Sequence, residues 1–502
     1  MKPDKSAIQL LCINDFHAEI HGSSYAPGSA RLVTAVKQFQ KEHPDTAVLF
    51  GGDNYKGDPI SECCKGAPVS AMMRMLDARA TVLGNHDFDF GLAELQQWRR
   101  ESGCALLAAN VADAATGAPA DFAKPYIMLT LAGASIAVIG LALAEPMATS
   151  DRPTDMHGFQ ILDGVSIAQE LVHRLKAGVE TGSCPDAVIA LTHYGLRFAP
   201  DGVTPVGDEL LRLCSEVPEL DGVFAAHFHQ FMALHINGVP VVQGGSSGRG
   251  FALLELAQTE TGMVATPRFV EFGEEKNALV PDAAMAQVVA TCRTQAMAEL
   301  GELVAHLDED IVHRLPERSE LNQEGGPLSD LAVSVMLEQS GCKAALFYAG
   351  RMGRGLTAGD ISLYQLYQTL NFENGMVTVE LTGRDLLRNV EAGLTTLSRE
   401  SASPLAFGGL NLVADYSKPF GSRIECISFA DGSALAPEEY YPVVIDQYLA
   451  ENPFSFDFTT GRNMTYLTHT VRKCMVEKIK ETGRIAATAH NGSVSVKNKL
   501  FF

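Results

Sequence analysis

The chain has 502 residues and carries 39 Lys+Arg against 60 Asp+Glu, a formal charge of −21. With 46% hydrophobic and 20% charged residues it has the make-up of a folded globular protein, which excludes wholesale disorder. The length implies two or three domains, and the acidic balance excludes a protein that coats long nucleic acids, though not one that handles single phosphates at a metal site.

In chain order, residues 8–13 read as a strand, 30–40 as a helix, and 47–50 and 81–83 as further buried strands. The runs 134–140, 187–191, 222–225 and 239–242 continue the pattern. Short apolar runs separated by helical stretches imply an α/β domain with a buried sheet. Near Phe272 the pattern changes: residues 281–303 lack strand signals and read as a helical connector. From Leu328 the periodicity becomes helical and then α/β again, with strands over 344–348 and 376–381. The expected division is 1–275 for a first domain, 276–319 for a connector or hinge and 320–502 for a second domain.

The residues before Ile8 lead into too short an apolar stretch for a secretory signal. No apolar run reaches the roughly 18 residues of a membrane span. The 10 cysteines are scattered, with one adjacent pair and no C-x-x-C. This fits reduced thiols in a cytoplasm, or a periplasmic protein if a signal peptide has been removed.

Five short segments, each directly after an expected strand, carry the chemistry. They are Asn14-Asp15-Phe16-His17, Gly51-Gly52-Asp53-Asn54, Gly84-Asn85-His86-Asp87, Thr192-His193-Tyr194 and Ala226-His227-Phe228-His229. Ligand sites of open α/β sheets form outside the carboxyl ends of the strands, so these five ends converge on one crevice. Carboxylate and imidazole donors suit Mn, Zn or Fe. In Asp15-x-His17 and His227-x-His229, extended backbone would aim both side chains the same way. Any one such residue is more often a turn or cap residue; the ordered series as a whole points to metal.

That series resembles the calcineurin-like metallophosphoesterases. With the second half, most of the chain resembles the bacterial 5′-nucleotidase/2′,3′-cyclic phosphodiesterase family. The resemblance implies a four-layer α/β/β/α catalytic domain followed by an α/β substrate-binding domain, and two divalent metal ions. It implies that Asp15, His17 and His229 hold one metal, that Asn85, His193 and His227 hold the other, and that Asp53 bridges them. His86 would be the catalytic histidine, oriented by Asp87. Ala226 stands where the family usually has glycine, which is tolerated if the backbone there does not need positive φ.

In the second half, Leu356-Thr357-Ala358-Gly359-Asp360-Ile361 and Val377-Thr378-Val379-Glu380-Leu381-Thr382-Gly383 resemble family segments. The family's Asn-x-Gly-Gly-x-Arg becomes Tyr348-Ala349-Gly350-Arg351-Met352-Gly353-Arg354, so Arg351 or Arg354 would grip the phosphate end of a substrate. Phe407 and Tyr448 fall where the family stacks a nucleobase. After Tyr448 the family's Gly-Gly-Asp-Gly-Tyr is absent, which leaves sugar and base preference open.

The implied activity is hydrolysis of a phosphomonoester, a nucleoside 5′-monophosphate foremost, with a small nucleotide or nucleoside as partner. The alternatives are a 2′,3′-cyclic nucleotide or nucleotide-sugar phosphodiesterase, a sulfur-ester hydrolase, or a nucleoside-binding protein without turnover.

Overall fold

The computed structural model describes residues 8–23, 26–143, 158–198, 205–260, 262–311, 326–349, 352, 355–370, 375–394, 405–419, 421–451, 456–486 and 492–498. The chain divides into two compact units, and the division falls between Ala296 and Met297, inside the helix Ala283–Leu300.

The first unit is built on two six-stranded sheets. One runs in the order Gly262–Glu271, Gly250–Thr259, Ile8–Ile13, Thr46–Phe50, Ala78–Val82, Ala105–Leu107. The other runs Phe231–Ile236, Val239–Gly244, Gly222–Phe224, Ala187–Thr192, Ala134–Leu141, Tyr126–Leu131. Leu10 and Leu49 from the first sheet share one apolar cluster with Val138, Ile189 and Val242 from the second, so the sheets face each other. Val165, Val172, Leu210 and Leu213, from the helices Gly164–Lys176 and Asp208–Glu216, cover the far side of the second sheet. Ile8–Ile13 is buried along its whole length, which is why it reads as a continuous apolar run rather than an alternating one.

The inner strands are parallel. Ile8–Ile13 pairs with Thr46–Phe50 and that strand with Ala78–Val82; Gly222–Phe224 pairs with Ala187–Thr192. Their carboxyl ends therefore lie at one edge of each sheet. The antiparallel strands toward the sheet edges, such as Tyr126–Leu131 and Gly262–Glu271, lie outside the apolar runs because part of each faces solvent.

The second unit has a five-stranded sheet in the order Leu405–Gly408, Ala344–Tyr348, Tyr440–Asp446, Gly375–Thr382, Arg462–Thr470. One face packs on the helices Pro327–Ser340 and Val471–Thr482, the other on Gly383–Gly393. A three-stranded sheet of Ile424–Phe429, Leu410–Asp415 and Gly492–Lys497 adjoins that second core. All ten cysteines are free thiols, and among the described residues no helix is long and apolar enough to cross a membrane.

Leu10 is fully buried between the sheets of the first unit; the single tryptophan, Trp98, is fully buried in the same unit on the helix Leu92–Ser102, outside that cluster. Leu10→Ala is expected to destabilise this unit by about 2–5 kcal/mol, read as a lower urea midpoint of Trp98 fluorescence. An unchanged midpoint would show that the inter-sheet core does not limit its stability.

Candidate metal centre

The five segments stand where the parallel strands end, but in three of them the backbone leaves the extended region at the candidate ligands. Asp15 (φ 49°), His17 (φ 47°), Asp53 (φ 51°), His227 (φ 69°) and His229 (φ 60°) all lie in the left-handed region. Alternation along a strand is therefore not what aims these pairs. Each is set by a tight left-handed turn, a conformation that costs a non-glycine residue about 1–3 kcal/mol and that clusters at functional sites. Neighbouring loops hold the turns in place: Asp15 N–H donates to Gly52 O at 3.1 Å, His17 N–H to Asp53 O at 3.0 Å, and Ser247 N–H to Asp15 O at 2.7 Å. Ala226 is outside the left-handed region, so its methyl group replaces the family's glycine without backbone strain.

Two ligand groups result. Asp15, His17 and His229 bring one donor atom each within 4.8 Å of one another, and so do Asp53, His193 and His227. His17 Nε2 and His229 Nε2 lie 3.1 Å apart. His193 Nε2 lies 3.2 Å from Asp53 Oδ2 and 3.9 Å from Asp15 Oδ1, and so links the groups. The other nitrogen of His193, Nδ1, donates to Gly51 O at 2.7 Å, which fixes the ring and turns Nε2 inward.

Both carboxylates are almost without water, Asp15 at 0% and Asp53 at 2% exposure. Asp15 accepts from His227 N–H, at 2.9 Å to Oδ2, and from Asn14 Nδ2 at 2.7 Å; Asp53 Oδ1 accepts from His86 N–H at 2.8 Å. Burial pushes the Asp53 carboxyl up, but the His193 imidazole beside it holds it well below the usual carboxylate range. Burial, with His229 beside it, lowers His17 to about 3, so its imidazole stays neutral, the form able to take up a metal.

The donors that remain fit a cation. Asn85 Oδ1 and His193 Nε2 are buried without hydrogen-bond geometry to any partner. An amide oxygen and an imidazole nitrogen so placed are donors suited to a divalent metal. The loops also come too close for any added atom: a Cβ on Gly84 would stand 2.1 Å from Asp53 Oδ1, and one on Gly52 2.7 Å from His193 Nδ1.

The expected pairing of His86 with Asp87 is not what the structure holds. Residues Asn85–Phe90 form a 3₁₀ turn, in which side chains three apart eclipse. His86 Nδ1 accordingly meets Asp89 Oδ2 at 3.0 Å. Asp87 turns inward, and its Oδ2 accepts the N–H groups of Gly84 at 2.9 Å and Asp53 at 3.0 Å. Asp87 thus pins the Asp53 loop, and burial beside Asp53 raises it to about 7. Asp89 also accepts from Lys56 Nζ at 2.6 Å. Burial works against its charge, yet Lys56 and His86 hold it down at about 2. Asp89 and Lys56 escaped the sequence reading, and Asn14, though part of the first segment, was given no role in it; for Asp89 the i+3 spacing from His86 was the available signal.

In the second unit, Phe407 is 7% exposed and belongs to the apolar core, so it packs the sheet and does not present a ring to a base. Tyr448 is half-buried and pairs with Tyr348, ring centroids 5.1 Å apart at 30°. Arg351 and Arg354 lie outside the described residues.

Residues 8–231 match the family described as calcineurin-like phosphoesterase, and residues 303–460 match the 5′-nucleotidase C-terminal domain. The chain is 22% identical over 471 residues to endonuclease YhcR of Bacillus subtilis, with 88% of this chain covered; it spans 37% of that relative's length. It is 24% identical over 449 residues to a 5′-nucleotidase of Vibrio cholerae, covering 81% of this chain and 79% of that one. The solved structure of a 5′-nucleotidase precursor from Thermus thermophilus is similar in fold, with a TM-score of 0.72 at 21% identity over 98% of this chain and 100% of that one.

Because a methyl group on Gly84 would collide with Asp53 and displace its carboxylate, Gly84→Ala should lower bound metal although no candidate ligand is itself substituted. Elemental analysis after reconstitution checks this, and wild-type metal content would show that the loop can yield.

Proposed function

We propose that this chain, which belongs to the calcineurin-like phosphoesterases carrying a 5′-nucleotidase C-terminal domain, hydrolyses a nucleoside 5′-monophosphate to nucleoside and phosphate. The class of reaction is metal-dependent phosphoric ester hydrolysis. The observation that carries the reading is the pair of ligand groups joined through His193 and the buried Asp15 and Asp53.

In this reading Asp15, His17 and His229 would hold one divalent ion and Asn85, His193 and His227 the other, with Asp53 as a shared ligand; Mn, Zn and Fe all suit the donors. A bound pair supplies Lewis acidity and a water acidic enough to attack phosphorus at neutral pH. His86 is the catalytic residue contributed by the chain. Asp89 occupies Nδ1, so Nε2 is the nitrogen that hands a proton to the leaving nucleoside oxygen. Residues 1–275 carry this chemistry and residues 320–502 select the substrate. Within the second unit, Tyr448 backed by Tyr348 offers a ring to the base, and Arg351 or Arg354 a guanidinium to the phosphate.

A panel of nucleoside monophosphates, cyclic nucleotides and nucleotide sugars, assayed for phosphate on metal-reconstituted protein, tests the reading. Phosphate release from the monophosphates is expected; no release from any ester with any of the three metals would sink it. His86→Ala should keep its metals and lose about 10²–10⁴-fold in turnover. Tyr448→Ala should raise KM for the preferred nucleotide by the loss of about 1–3 kcal/mol of stacking, with kcat retained.

A further inference from the structure

Lys56 belongs to neither ligand group, yet it is paired with a carboxylate that also meets His86. Its side chain is 14% exposed and its Nζ lies 2.6 Å from Asp89 Oδ2, a carboxylate with 9% exposure. The same oxygen, Oδ2, takes the contact from His86 Nδ1 at 3.0 Å. The backbone of Lys56 is tied to the centre as well, since His17 Nδ1 lies 3.3 Å from Lys56 O. On one side Tyr55 is stacked on Trp98 with centroids 3.6 Å apart; on the other, a Cβ on Gly57 would stand 2.0 Å from His17 O. The segment carrying Lys56 is therefore clamped at both ends.

A buried carboxylate needs a partner of opposite charge. Held by His86 Nδ1 alone, the Asp89 carboxylate could turn about its own side chain and leave the ring. Lys56 Nζ grips the same oxygen at 2.6 Å, a second anchor that fixes the direction of the carboxylate toward Nδ1. A residue that only filled space would not need to share that oxygen with the imidazole.

We propose that Lys56 is a positioning residue for the hydrolytic reaction: it locks Asp89 against Nδ1 of His86, so that Nε2 stays aimed at the leaving oxygen throughout turnover. The proposal rests on the phosphohydrolase reading above. Lys56 acts through Asp89 and not on the substrate, so its removal should lower kcat while sparing KM.

The experiment compares wild type, Lys56→Met, Lys56→Arg, Asp89→Asn and the Lys56→Met/Asp89→Asn double variant. Each is reconstituted with metal, assayed on the best substrate of the panel and checked for metal content. Lys56→Met should lower kcat by about 10–100-fold, the scale for partners that orient a functional histidine. KM and bound metal should stay at wild-type values. Lys56→Arg should restore most of the loss, and the double variant should be no slower than the slower single variant. Wild-type kcat in Lys56→Met, a raised KM with kcat kept, or losses that simply add in the double variant would overturn the proposal. A crystal structure of Lys56→Met separates this idea from the function it rests on. If wild type hydrolyses no ester, the function fails. Lys56 is then judged by whether Asp89 has left His86, as expected, or still holds it at the same distance, which refutes the lock.

Discussion

Two carboxylates, Asp15 and Asp53, sit almost without water at the ends of neighbouring parallel strands, and the first unit is organised around their charge. Ionised groups in such a place cost several kcal/mol each unless they are paired and hydrogen-bonded. The compensation here comes from imidazoles and backbone N–H groups belonging to both sheets. His193 and His227 follow strands of the second sheet, and Asp15 and Asp53 follow strands of the first. Each sheet thus supplies what the other needs, and the centre forms only when the two are packed face to face.

The same constraint accounts for the backbone. Five of the candidate ligand residues adopt left-handed turns, and the strain is held by hydrogen bonds between loops that are far apart in sequence. Gly52 and Gly84 leave no room for a side chain because two loops carrying ligands pass one another there. Around this lies a layer of supporting side chains outside the two candidate ligand groups. Asn14 ties Asp15 to the Gly244–Gly245 backbone, Asp87 ties the Gly84 and Asp53 loops, and Asp89 with Lys56 holds His86. Rigidity of this kind is what a phosphoryl-transfer site needs, because its rate depends on groups already in position.

Much of the fold was legible in the sequence. The strands near residues 8–13, 47–50, 187–191, 222–225 and 344–348 stand out because they are buried on both faces and so read as unbroken apolar runs. Edge strands such as Gly262–Glu271 do not, since part of their surface is wet. The metal-type residues were legible because all of them follow strands. Phe407 was misread as a platform for a base: its place in a motif says nothing of burial, and in the fold it is core.

The sequence by itself determined which side chains gather. Aspartate, asparagine and histidine placed after parallel strands must meet at one edge, whatever the details of packing. Only the tertiary structure decided how they are aimed and who supports them. An extended segment and a left-handed turn carry the same letters, yet point Asp15 and His17 differently. Likewise the chain places Asp87 next to His86, but a 3₁₀ turn carries Asp89 to the ring and sends Asp87 inward to the Asp53 loop. Lys56, 33 residues away from Asp89 in sequence, joins that cluster only because two loops fold against each other. Contacts of that kind depend on local backbone turns and on long-range packing, which residue spacing does not encode.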